Sequence, residues 1–123
     1  MKGFTQDIRD KAKANSYFRQ VLSTGAHTQI VVMSIPVGEE IGKEVHPDND
    51  QVLYFVEGEG KAVLAGVEVA FDEDDIFLVK AGTRHNFINT GNKPLKIITA
   101  YSPPHHPQGT VHKTKEEAEK AEY

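Results

Sequence analysis

The sequence has 123 residues, no cysteine and a formal net charge of −4, with 14 lysines and arginines against 18 aspartates and glutamates. The length predicts a single domain with one core. The missing cysteines exclude disulfides and thiolate metal sites. The acidic balance, without a basic stripe, argues against a nucleic-acid partner. Neither an apolar signal segment nor a membrane-length apolar run is found, so we expect a cytoplasmic protein without a membrane partner.

The first part of the chain predicts a short helix followed by two strands. Thr5 is expected to cap a helix that ends at Ala14, with Asp7 in its first turn. Residues 17–22 and 28–35 are rich in strand-forming side chains and end at Ser23 and Pro36. We assign residues 1–27 to an N-terminal extension and edge strand.

The middle of the chain alternates short β-branched or aromatic runs with turn residues. These runs cover residues 51–56, 61–64, 67–71, 76–79, 85–88 and 95–101. No long helical period interrupts them, which favours an all-β sandwich or barrel over residues 28–102.

The last segment, residues 103–123, predicts a proline-rich loop and a charged tail helix. Thr114 and Glu117 have the spacing of a capping box, and the helix has almost no apolar face. His105, His106 and His112 lie in or beside the proline-rich segment, where we expect loop packing or a lid over the barrel mouth.

Four polar side chains fall where strands should bury hydrocarbon. Glu44 and His46 share a face because they are two residues apart, and the turn 47–50 allows Gln51 to return to that side. His85 follows a tight corner on a later strand. Two imidazoles, a carboxylate and an amide suit Zn(II), Fe(II), Mn(II) or Ni(II). Taken singly, the two histidines are better explained as hydrogen-bonded core residues and Glu44 as a solvated strand-edge residue. Gln51 is the weakest ligand of the four.

The spacing of these residues resembles the two motifs of the cupin family. The first motif, H-x-H-x4-E-x6-G, reads Glu44-x-His46, Gln51 and Gly58 here. The second, G-x5-P-x-G-x2-H-x3-N, is matched by Gly82, His85 and Asn89, with Asp74 and Lys80 replacing its first Gly and its Pro. The resemblance implies an all-β double-stranded β-helix, the cupin jelly-roll barrel. It also implies one divalent metal ion held by Glu44, His46, Gln51 and His85, with the carboxylate moved rather than lost.

Other residues near these motifs are candidates for ligand binding. Phe55, Phe87 and Tyr101 have the parity to wall a pocket, although core packing explains them equally well. Arg19, Lys80 and Arg84 are the cations nearest the motifs and are candidates for holding a substrate anion.

Three functions remain open for such a site, each acting on a small polar molecule. The ligand types resemble those of cupin mannose-6-phosphate isomerases, which implies a sugar or sugar-phosphate isomerase. Two histidines and one carboxylate are also the set of Fe(II) dioxygenases. The third is a non-enzymatic module that binds a small molecule or a metal. The family resemblance further implies a homodimer, in which the strand over residues 17–22 is our candidate for crossing to the partner.

Overall fold

The structure, a computed structural model, describes residues 7–121. The elements of these residues, in chain order, are α1 (Ile8–Ala14), β1 (Arg19–Thr24), β2 (Gln29–Ile35), β3 (Asp50–Glu57), β4 (Gly60–Leu64), β5 (Val67–Phe71), β6 (Ile76–Val79), β7 (His85–Asn89), β8 (Leu95–Ser102), β9 (Val111–His112) and α2 (Lys115–Lys120). The strand pattern therefore confirms the all-β class predicted from the sequence.

Two antiparallel sheets form the body of the molecule. The larger sheet has the strand order β6-β3-β8-β2-β1-β9, and the smaller has the order β5-β4-β7. Side chains from both sheets belong to one buried cluster; Phe55 of β3, for example, stacks on Phe71 of β5 with ring centroids 3.9 Å apart. The sheets thus face each other across a common core, in agreement with the predicted jelly roll.

The two-residue period of the strands decides which side chains enter this core. On β8, Leu95, Ile97, Thr99 and Tyr101 are buried, whereas the residues between them are partly exposed. Aliphatic residues occupy one end of the strand, and Thr99 and Tyr101 lie towards the other. The interior of the barrel is therefore apolar at one end and polar at the other.

Helix α1 covers the outer face of the larger sheet. Ala12 is fully buried there, in a cluster with Val32 of β2 and Val56 of β3. The helix begins one residue after Asp7, whose side chain accepts a hydrogen bond from the backbone N–H of Asp10 at 3.3 Å. Asp7 is thus the N-cap rather than a first-turn residue; the predicted cap, Thr5, lies outside the described residues.

The C-terminal segment differs from the prediction in one additional strand and in the packing of its helix. Strand β9, which was not predicted, pairs with β1 through Arg19 and Gln20, so that β9 and not β1 lies at this edge of the larger sheet. The predicted capping box is present, since the Thr114 hydroxyl accepts a hydrogen bond from the Glu117 N–H at 3.2 Å. Helix α2 is also less detached than expected, because Ala118 packs against the core.

Helices α1 and α2 have seven and six residues. Within residues 7–121, no helix is long and apolar enough to cross a membrane.

Candidate metal site

Backbone pairing places Glu44 beside His85 at the polar end of the barrel. Glu44 donates its N–H to the His85 carbonyl, and His85 donates its N–H to the Glu44 carbonyl, both at 2.9 Å. Two residues that exchange both bonds are direct cross-strand neighbours, with side chains on the same face. His46, two residues after Glu44, shares that face. The structure therefore brings together three of the four predicted ligands.

The distances between their side chains suit a metal ion. His46 Nε2 lies 2.9 Å and His85 Nε2 lies 3.9 Å from Glu44 Oε2. Donor atoms about 2.0–2.1 Å from a tetrahedral ion are about 3.4 Å from one another, a value between these two distances. Among the described residues, Glu44, His46 and His85 form a group whose donor atoms all lie within 4.8 Å of one another.

The protonation state of His85 is set by a carbonyl. Its Nδ1 lies 2.9 Å from the Thr83 oxygen, which can only accept, so Nδ1 carries the proton. Burial lowers the pKa of His85, which keeps the ring neutral. Nε2 therefore presents a lone pair, and this buried atom has no hydrogen-bond partner among the described residues. In most metal-binding histidines one ring nitrogen binds the metal while the other donates its N–H to a carbonyl or carboxylate, as His85 Nδ1 does here.

Gln51 lies on the opposite sheet and offers an oxygen. Its side chain is almost fully buried, and Nε2 donates to Thr99 Oγ1 at 3.0 Å. That bond identifies the other atom, Oε1, as the acceptor, and Oε1 is buried without a hydrogen-bond partner among residues 7–121. A bound cation would satisfy such an atom, so Gln51 fits the predicted role, which stays a prediction.

Arg19 lies behind Glu44. Burial alone would raise the pKa of Glu44, but the hydrogen bond from His46 and the positive charge of Arg19 outweigh burial and lower it. Arg19 Nη2 is 4.0 Å from Glu44 Oε1, and Nη1 is 3.2 Å from His112 Nδ1. Glu44 is therefore held ionised, as metal binding requires, and Arg19 balances its charge.

The predicted pocket walls lie at different depths. The Tyr101 ring meets the His46 ring edge-on at 5.6 Å, and the Phe87 ring lies 6.1 Å from His85. Phe55 instead stacks on Phe71, in the aromatic part of the core. Tyr101 and Phe87 thus border the candidate ligands, whereas Phe55 contacts Phe87 and not the ligands.

The three predicted anion-binding cations also differ in position. Arg19 is 6% exposed and lies beside Glu44, whereas the side chains of Lys80 and Arg84 are exposed. Arg84 borders a cavity of about 290 Å³ that also touches Lys43 and Asn86. A smaller cavity, of about 150 Å³, lies next to the candidate site; its lining consists of Phe18, Arg19, Ile41, Glu44, Lys115, Ala118 and Glu119.

Sequence reasoning expected the C-terminal loop to pack or to form a lid over the barrel mouth, but it did not indicate that a histidine of this loop reaches the site. The His105 ring lies 4.4 Å from the His46 ring and stacks on Tyr101 at 5.4 Å. The only signal in the sequence was the concentration of histidines between prolines. Because a loop has no fixed side-chain period, that signal did not indicate which way the rings point.

Comparisons with known proteins point to one family. Residues 31–101 match the family model described as a cupin domain. The chain is 43% identical over 127 residues to an uncharacterized protein of Bacillus subtilis, YrkC. The aligned region covers 98% of this chain and 68% of that protein. A crystal structure of a Bacillus halodurans protein has a TM-score of 0.96 at 44% identity, covering 98% of this chain and 96% of that one.

A shorter similarity involves a protein of Streptomyces glaucescens named as the tetracenomycin polyketide synthase protein TcmJ. It is 35% identical over 66 residues, which are 54% of this chain and 44% of that protein.

Proposed function

The chain belongs to the cupin family, and we propose that it binds one divalent transition-metal ion and, through that ion, a small oxygen-bearing metabolite. The observation that carries the proposal is the group of Glu44 and the two buried histidines His46 and His85, in which His85 Nε2 presents an unshared lone pair. Gln51 supplies the fourth donor. Zinc, iron, manganese and nickel all accept this donor set.

The protein's own groups would orient the ligand set. Thr83 fixes the tautomer of His85, while the positive charge of Arg19 helps to keep Glu44 ionised. A bound metal ion would polarise a carbonyl or stabilise a developing alkoxide on the substrate. Tyr101 and Phe87 would exclude water from that side of the site.

An isomerase acting on a sugar or sugar phosphate is the first candidate reaction. The donor set of two imidazoles, one carboxylate and one amide supports it. Because Arg19 already balances Glu44, the positive charge of the metal ion would hold an anionic substrate group.

A non-haem Fe(II) dioxygenase is the second candidate, because two histidines and one carboxylate make the donor set of that class and leave further coordination positions open. The remaining alternative is a module that binds a metal or small molecule without chemistry.

Elemental analysis of protein purified without chelator tests the site. We expect near-stoichiometric metal in the parent and in a control variant, His27→Ala, whose side chain is exposed. His85→Ala should lose the metal while circular dichroism shows the same strand content. If the parent contains no metal as purified and binds none of the four metals on incubation, the proposal is wrong.

The metal and its reactivity then separate the candidate reactions. Zinc or manganese together with interconversion of an aldose and a ketose would support the isomerase. Iron together with substrate-dependent oxygen consumption would support the dioxygenase. Metal without either reaction, across a panel of sugars, sugar phosphates and small aromatic compounds, would favour the binding module.

Gln51→Glu tests the fourth donor. A carboxylate binds divalent ions more strongly than an amide, so this variant should retain metal at least as well as the parent. Loss of metal in Gln51→Glu would show instead that the amide positions a water molecule or the substrate.

A further inference from the structure

The loop after β8 is fixed to the barrel by a buried glutamine. Gln29 is fully buried; its Nε2 donates to the His106 carbonyl at 2.8 Å, and its Oε1 accepts from the N–H groups of His105 at 3.2 Å and His106 at 3.0 Å. Asn49 adds a bond from its side-chain amide to the Pro103 carbonyl. The segment is therefore held by several bonds and does not have the character of a loose lid.

This attachment brings the His105 ring to the candidate site. The ring lies 4.4 Å from the His46 ring, at an angle of 64°. The Tyr101 ring stacks on it at 5.4 Å, and the His106 ring meets it edge-on at 4.7 Å. His105 does not belong to the group of donors within 4.8 Å of one another, which among the described residues is Glu44, His46 and His85. It thus adjoins the ligand set without being part of it.

Exposure indicates where a ligand reaches the site. His46 and His85 are 8% and 3% exposed, whereas the Glu44 side chain is 24% exposed and His105 is partly exposed. Glu44 and His105 are therefore the more accessible side chains around the candidate site, and a ligand bound to the ion would be exposed on their side.

The charges indicate what kind of ligand fits. Arg19 already balances Glu44, so a divalent ion would leave the site with surplus positive charge in a largely buried environment. Such a site favours an anion, and an oxygen anion is the preferred partner of the hard or borderline metals that this donor set accepts.

We propose that His105, held in place by Gln29, is a ligand-binding residue that makes a hydrogen bond to an anionic oxygen ligand coordinated to the metal. The inference rests on the proposed metal site and adds to it the substrate class, a small molecule that presents a carboxylate, hydroxamate or enolate oxygen. Gln29 is a positioning residue that acts through His105.

Cobalt-loaded protein and acetohydroxamate, an anionic oxygen ligand, provide the test. Visible absorption of Co(II) reports binding of the probe, and elemental analysis after gel filtration shows that the metal stays bound. His105→Phe keeps an aromatic ring against Tyr101 but removes both ring nitrogens. It should hold cobalt as the parent does and bind the probe about tenfold more weakly, the effect of losing a hydrogen bond to a charged group.

Gln29→Leu tests the positioning role. It should also bind cobalt and weaken probe binding. The double variant Gln29→Leu/His105→Phe should bind the probe no more weakly than His105→Phe alone, because both changes remove the same contact. His27→Ala, in an exposed position, is the matched control and should bind the probe as the parent does.

The outcomes separate this inference from the proposed function. If the parent binds no cobalt, the metal site itself is wrong and the inference falls with it. If His105→Phe binds cobalt and holds the probe with the parent's affinity, only the inference is wrong. If His105→Phe loses cobalt, His105 is a metal ligand and not a contact to the bound molecule, which also overturns the inference.

Discussion

His85 shows how a single backbone acceptor determines whether a histidine is able to bind a metal. The Thr83 carbonyl holds the proton on Nδ1, which leaves the lone pair on Nε2 facing Glu44. In a histidine with a purely structural role, both buried ring nitrogens would make hydrogen bonds. His85 Nε2 is buried and has no hydrogen-bond partner among the described residues. This observation favours the metal-site interpretation over a purely structural role.

Buried histidines should also make the protein sensitive to acid. Burial lowers the pKa of His106 to about 2, whereas the unfolded chain should titrate at about 6.5. As the pH falls below that value, the unfolded state takes up a proton that the folded state does not, so stability decreases. This histidine alone should lower the free energy of unfolding by about 2 kcal/mol between pH 7 and pH 5.

Urea denaturation at several pH values checks this prediction. His106→Phe, which keeps an aromatic ring near Tyr101, should lose less stability over this pH range than the parent. His27→Asn, at an exposed position, should leave the pH dependence as it is. The same pH dependence in His106→Phe and the parent would show that the His106 ring is not responsible.

At the scale of elements, the small sheet is held together where β4 begins. Gly60 pairs with Phe71 of β5 on one side and with Asn89 of β7 on the other. A Cβ on Gly60 would overlap the Ile88 carbonyl oxygen and the Phe71 ring. The strand that joins β5 to β7 therefore requires a residue without a side chain at this point.

Gly60→Ala should accordingly destabilise the protein by about 3 kcal/mol or more, since either the backbone or a core phenylalanine has to move. The matched control is Gly38→Ala. That residue has φ +79° and nothing within 4 Å of an added Cβ. Gly38→Ala should therefore lower the free energy of unfolding by only about 1–2 kcal/mol, the cost of a left-handed backbone conformation for alanine. Equal losses for the two variants in urea denaturation would contradict the overlap at Gly60.

At the scale of the whole molecule, the larger sheet has an edge with exposed apolar side chains. Ile76 and Leu78 on β6 are 65% and 59% exposed, and β6 is the terminal strand of that sheet. Exposed apolar groups on a sheet edge are typical of a surface that another molecule covers. This is compatible with the homodimer expected from the family, which stays a prediction, as does the crossing of the strand over residues 17–22.

Light scattering after gel filtration measures the oligomer. We expect twice the 13.6 kDa mass of one chain. If β6 contributes to the interface, Ile76→Lys/Leu78→Lys should shift the protein to monomers without unfolding it. Val67→Lys, at an exposed position on β5, is the control and should leave the dimer intact. A monomeric mass for the parent would remove the prediction.

The amino-acid sequence by itself determined most of the secondary structure. Runs of β-branched and aromatic residues between turn residues located β5 and β6 at their observed bounds and the other predicted strands to within a few residues, because both signals are local. The spacing of Glu44 and His46 also placed them on one face, since a strand repeats every two residues. The capping box likewise identified the start of α2.

Only the tertiary structure decided which distant residues meet. The pairing of Glu44 with His85, the contact of Arg19 with His112 and the bonds of Gln29 to the loop join residues 41, 93 and 76–77 positions apart. Such contacts depend on strand order and register, which a local period does not encode. For that reason the sequence indicated the donors of the metal site and named Arg19 and His105 as nearby candidates, whereas the burial of Arg19 beside Glu44 and the contact of His105 with His46 are seen only in the folded barrel.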